Sequence, residues 1–218
     1  MVSSTIRLSG AEKKADPCPN ATAYFAELPN GWASFPTCVA RASMLRGLRD
    51  RGSLDILESL PLQLRPILDH LRGDAEWLPE IVHVATMVAV RDMRFGEGSR
   101  GDAAFFEWLA KVNRELFESP PYVAAVSVLE AADLVPRLPT IWESLHVGVP
   151  VTVAMHSPAR ASAVLAYPRR LFSSLSLESF RRTIAVLLAK TSAAQVHVDV
   201  VRQVTGDAAR AEFEMTWR

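Results

Sequence analysis

Cysteine is almost missing from this chain, with only Cys18 and Cys38 in 218 residues. Two thiols make neither a disulfide framework nor a cysteine-based metal cluster. Free thiols of this kind suit a reducing compartment. Net charge is missing altogether, with 24 basic residues against 24 acidic ones. Proteins that grip nucleic acid by its phosphates carry a basic excess, so nucleic acid is set aside as a partner. No apolar run reaches the ~20 residues of a membrane span. The longest, Ile81 to Val90, is about half that length and is interrupted by His83. The first residues, with Arg7, Glu12, Lys13 and Lys14, lack the apolar centre of a secretion signal. These absences give the expectation of a soluble, cytoplasmic protein without a membrane span.

Catalytic motifs are missing too. There is no Gly-x-Ser-x-Gly and no Ser-x-x-Lys, and neither cysteine sits in a nucleophile's context. Gly96-Glu97-Gly98 follows a helical pattern ending at Phe95 rather than a strand, so it fails the context of a dinucleotide loop. Its reading is a helix stop and restart. The chain therefore reads as a non-enzyme.

What is present is an ordinary globular composition, 49% hydrophobic and 22% charged, enough for one sizeable domain. Residues 1–34 read as an arm, because Pro17, Pro19, Pro29 and the Asn30-Gly31 turn break any periodicity. Its first twenty residues are expected to be mobile and its second half docked through Tyr24, Phe25, Leu28 and Trp32, or else extended towards a partner. Residues 35–218 read as one α+β domain. Helices are predicted over Val39–Arg49, from a Ser53 cap through Leu60, and over Leu62–Leu71, Glu80–Phe95, Ala103–Phe117 with Asp102 as cap, and Pro120–Leu134. A final turn or two carries Ile141, Trp142 and Leu145. Glu80–Phe95 is apolar on nearly every face of its first turns, which calls for surroundings on all sides.

Beyond Leu145 the period changes to two. Val149–Tyr167 and Gln195–Trp217 read as hairpins turning at Ser157-Pro158-Ala159 and Thr205-Gly206-Asp207. A helix runs between them from a Ser176 cap to about Thr191. Ala211, Phe213, Met215 and Trp217 share one face of the last strand. The fold expected is a helical layer packed on a C-terminal twisted antiparallel sheet, built as hairpin, helix, hairpin.

Three short motifs carry a resemblance: Trp77-Leu78-Pro79, Pro139-Thr140-Ile141-Trp142, and the ending Gly206-Asp207-Ala208 … Glu212-Phe213-Glu214-Met215-Thr216-Trp217. In order and spacing, from Pro36 to Trp217, they resemble a myxobacterial paralogue family related to the 4-vinyl-reductase sensory domain. That superfamily includes haem-based nitric-oxide sensors and vesicle-tethering subunits. The resemblance implies a helical layer on a sheet, often with an apolar pocket, and binding rather than catalysis. Two departures limit it. Ala211 stands where relatives often carry a cysteine used for metal. The Tyr-x-Ser-x-Arg motif of the haem sensors is missing, as is any histidine between Tyr122 and Leu145. No cofactor and no metal are therefore expected.

The candidate site is an apolar pocket between the buried helix and the sheet, with Trp77, Met87, Phe106, Phe180 and Phe213 as its lining. Its partner would be a small hydrophobic molecule. The alternative is an interaction or scaffold subunit with a filled core, acting through a second copy or a partner protein. Among the histidines, His83 reads as a core residue satisfied by one hydrogen bond, against a ligating or switching role. His156 and His197 read as part of a solvated sheet face, against a metal pair that requires their hairpins to bring them together. His70 and His146 show no evident partner. Arg169-Arg170 and Arg181-Arg182 read as solvated, against a basic patch.

Overall fold

The alternating C-terminal segments form a four-stranded antiparallel sheet in a computed structural model describing residues 16–51, 64–71, 73, 75–127, 130–206 and 208–218. Its strands are β4 (Val151–Ser157), β5 (Arg160–Pro168), β6 (His197–Val204) and β7 (Ala208–Thr216), in the order β4-β5-β7-β6. The central pair runs in unbroken register from Arg160↔Thr216 to Pro168↔Ala208. Ala161, Ala163, Leu165 and Tyr167 of β5 and Ala209, Ala211, Phe213 and Met215 of β7 face inward and are buried. This is the two-residue period of a sheet covered on one side. The register shifts at Met155/Ser157 and at Val200/Arg202 fall on the two outer strands, where bulges discourage edge-to-edge pairing. The inward face of β4 fades towards its tip, with Val151 buried and Met155 exposed.

Helix α9 (Ser174–Leu188) connects the hairpins and buries Leu177, Phe180, Ile184, Leu187 and Leu188. Its cap is Ser173 rather than Ser176. The two serines form a reciprocal capping box, with Ser176 as the third helical residue. The arginines of this helix, read as solvated rather than as a basic patch, are paired, because Arg181 and Arg182 both bond Glu178. Arg170 donates to the Glu27 carbonyl.

The helical layer comprises α1 (Pro19–Glu27), α2 (Ala42–Arg51), α3 (Arg65–Asp69), α4 (Glu80–Phe95), α5 (Ser99–Glu118), α6 (Pro120–Val126), α7 (Ala131–Leu134) and α8 (Leu138–Leu145). Helix α4 has its expected bounds and buries every residue from Glu80 to Val90 except His83. Helix α5 starts earlier than expected. Asp102 lies in its first turn and pairs with Arg91 at 2.7 Å instead of capping. The single helix expected from Pro120 is broken after Val126. The helix expected from Ser53 to Leu60 lies outside the described residues.

Two findings correct the expectations from sequence. The arm contains a helix: α1 opens on Pro19, where the missing N–H costs nothing. Tyr24 donates to the Leu171 carbonyl at 2.9 Å and the Asn20 amide bonds Asp92 at 2.8 Å. Cys18, expected in a disordered tail, is buried in the same core. A second, three-stranded sheet is also present, in the order β2-β1-β3, from β1 (Val39–Arg41), β2 (Trp77–Pro79) and β3 (His146–Val147). Its strands are two or three residues long, too short to show a period, and they form through pairings distant in sequence.

Candidate functional site

That small sheet positions the chemistry. β1 pairs with β2 on one side and with β3 on the other, with Ala40 opposite both Leu78 and His146. Helix α4 leaves β2 directly, and the Glu80 N–H donates to the Cys38 carbonyl at 2.9 Å. Glu80 thereby sits in the first turn of α4, where the helix dipole favours a carboxylate. One helical turn on, His83 places Nδ1 at 3.1 Å from Glu80 Oε1. From β3, His146 places Nδ1 at 2.8 Å from Glu80 Oε2. The carboxylate is thus gripped on both oxygens by imidazoles arriving from two different elements.

The Glu80 side chain is fully buried and that of His146 is 4% exposed, whereas His83 reaches 17%. Burial pushes the Glu80 carboxyl upward, but His146 and His83 outweigh it and hold the group well below the usual carboxylate range. Burial holds the His146 imidazole below its ordinary value, with Glu80 opposing only in part. The arrangement is therefore an ionised carboxylate receiving imidazole N–H bonds. His146 is also fixed by stacking on Trp142, with ring centroids 3.7 Å apart and planes 16° from parallel. Trp142 is anchored in turn by its indole N–H on the Val149 carbonyl.

Both imidazoles also face a cavity of about 100 Å³ between the helical layer and the sheet. Met44 and Leu48 come from α2, Val84 and Met87 from α4, Leu109 and Val112 from α5, Trp142 from α8, Ala163 and Leu165 from β5, and Phe180 and Ile184 from α9. Gly47 lets α2 approach α5, since a Cβ there would stand 3.2 Å from Val112 Cγ1. The polar residues on the wall have hydrogen-bond partners within the protein. Asn113 donates to Thr183 at 2.8 Å, Ser43 bonds Tyr122 at 2.8 Å, and Ser179 donates to the Leu175 carbonyl at 2.8 Å. The lining is thus mainly apolar, with its polar side chains paired and two imidazoles on the wall.

Of the residues expected to line a pocket, Met87 and Phe180 stand on this wall. Phe213 lies behind Phe180, fully buried, with ring centroids 4.8 Å apart in an edge-on contact. Phe106 faces a separate cleft of about 460 Å³ beside Asn20, Arg91 and Asp102. Trp77 lies on β2 under the Arg41 guanidinium, 3.9 Å from its ring centre. His83 has the one-bond environment expected of it, but His146 is the residue that sequence reasoning missed. The Glu80/His83 spacing of one turn was a visible signal; the third member arrives from 66 residues away. His156 bonds Ser162, and His197 lies on the opposite edge strand. Three strand spacings of about 4.8 Å keep those two roughly 14 Å apart, which removes them as a metal pair.

Solved structures that resemble this chain include H-NOX domains. One with an unnatural amino acid at site 5 ("Cs H-NOX mutant") matches with a TM-score of 0.59 and 11% identity, covering 81% of this chain and 94% of that one. A point mutant of T. Tengcongensis H-NOX gives 0.58 and 10%, covering 81% and 94%. An oxygen-binding H-NOX domain related to soluble guanylate cyclases gives 0.56 and 11%, covering 81% and 92%. No family model and no curated protein matches the chain. The chain has an H-NOX-like α+β fold, and at these identities the likeness is one of fold alone. Among the described residues no helix is long and apolar enough to cross a membrane.

Proposed function

We propose that this chain is a non-enzymatic sensory module of the 4-vinyl-reductase type that holds a small hydrophobic molecule between its helical layer and its sheet. The observation that carries the reading is the cavity of about 100 Å³, whose lining is mainly apolar and includes the imidazoles of His83 and His146. Its size sets the ligand. An apolar cavity of about 150 Å³ in another protein binds benzene or xenon, so this one takes a molecule no larger than a single small ring. The imidazoles would select a ligand with one polar atom over a pure hydrocarbon.

Haem is the group at issue in an H-NOX structure that shares this fold and in another of its structural neighbours. The residues here do not fit it. Drug-sized ligands already need roughly 300–1,000 Å³, several times the volume present.

The test is thermal unfolding under xenon and with benzene, phenol and indole. Saturation at about a hundredfold over Kd stabilises by about 2.7 kcal/mol. Xenon, benzene or phenol should raise the midpoint and indole should not. No shift with any of them, or a Soret band at one equivalent of added haemin, would overturn the reading.

A further inference from the structure

The geometry points to a divalent-metal site, suited to zinc, formed by Glu80, His83 and His146 with an exchangeable fourth position open to the cavity. Their ligand atoms all lie within 4.8 Å of one another. Tetrahedral zinc with ligands at 2.0–2.1 Å keeps those ligands about 3.3 Å apart. The two carboxylate-to-imidazole distances, 3.1 and 2.8 Å, are already at that scale. Both imidazoles turn Nδ1 towards the Glu80 carboxylate, His83 to Oε1 and His146 to Oε2, so the three donor groups face one another. Two histidines and one carboxylate form a set that leaves zinc one open coordination position.

Charge favours occupancy. A fully buried carboxylate calls for a cation, and the side chains that pair with Glu80 among the described residues are two imidazoles, His83 and His146. A metal ion supplies that charge and replaces both hydrogen bonds with coordination. The site is also built in advance. The stack on Trp142 fixes the ring plane of His146, and one helical turn fixes His83 relative to Glu80. Preset ligands lower the ordering cost of binding. Because His83 and His146 also stand on the cavity wall, the open position faces the space assigned to the small molecule. That last step rests on the proposed function; the three-ligand site does not.

The test uses the full chain, stripped with a chelator and titrated separately with Zn²⁺ and Co²⁺. One equivalent should remain bound after gel filtration, raise the unfolding midpoint and, for cobalt, give visible ligand-field absorption. His83→Gln should lower the affinity at least tenfold, and Glu80→Gln likewise. Cys38→Ser should leave it unchanged, which separates this site from a thiol. His83 is partly exposed, so its variant decides the matter if the Glu80 variant does not fold. The inference is overturned if no ion binds stoichiometrically, or if His83→Gln binds zinc as tightly as the parent. Xenon binding measured on the stripped protein tests the cavity separately, so either result can fail alone.

Discussion

Ala163→Val is the sharpest probe of whether the space between helices and sheet is free volume. Ala163 is 1% exposed, lies at the centre of β5 opposite Phe213, and stands on the cavity wall. Valine adds two methyl groups, and each buried carbon is worth about 0.8 kcal/mol, for about 1.6 kcal/mol together. Fixing the new side chain takes back about 0.5 kcal/mol, leaving a gain of about 1 kcal/mol. For a chain of this length that raises the unfolding midpoint by about 2–4 °C. The β-branched side chain also suits a strand. Ala161→Val is the control. Ala161 has the same inward orientation on the same strand and is fully buried, but it does not line the cavity. There the extra methyl groups overpack, at a cost of about 1–3 kcal/mol. Paired urea and thermal unfolding should show opposite signs, and the stabilisation by xenon should vanish only in Ala163→Val. Loss of stability in both variants would refute the reasoning, since it would mean that the cavity is closed to a side chain growing from β5.

Glu80→Ala removes the partner of two imidazoles at once. Breaking a buried pair from one side costs about 3–5 kcal/mol, whereas Glu80→Gln, which keeps the shape, should cost about 1–3 kcal/mol by urea unfolding. At Gly148, φ is +82° and a Cβ would stand 2.3 Å from the Thr37 carbonyl oxygen, so the backbone itself must move. Gly148→Ala should cost about 1–3 kcal/mol and, by displacing β3, weaken the hold on His146. Burial pushes the Cys18 thiol up to about 11, helped by Asp92 and Asp16, and burial raises Cys38 as well. An aromatic disulfide reagent should therefore titrate neither thiol promptly at neutral pH, and both after denaturation. Burial pushes Glu178 upward, but Arg181 and Arg182 outweigh it and hold the carboxyl below its usual range. A depressed folded-state value gives stability that is present above the unfolded carboxylate pKa and lost as pH falls through the folded one. Glu178→Gln should flatten the acid limb of stability from roughly pH 5 downward, measured by urea midpoints.

The C-terminal hairpins and α9 were legible in the sequence because each is specified locally. Alternation sets the strand faces, a proline or glycine marks each turn, and serines open the helix. Helix α4 was legible for the same reason, its apolar first turns demanding burial. What escaped was everything that depends on chains meeting at a distance. Val39–Arg41 reads as the start of a helix until β2 and β3 arrive on either side of it. Residues 19–27 show no helical period among their flanking prolines and the Asn30-Gly31 turn, so α1 escaped although docking through Tyr24 was expected. The same limit explains the site. Met87 and Phe180 were reachable because inward faces can be counted along one element, and the interval between two such faces is where a pocket must lie. His146 could not be found that way, since its strand is two residues long and its partner belongs to another element. Polar clusters of this kind are specified by pairing between elements, and a periodicity within one element carries no trace of them. A buried carboxylate one turn before a histidine on an otherwise apolar helix is the one local sign available. It says that a third group must come from elsewhere, because a carboxylate taken out of water requires more than a single neutral imidazole to hold it there.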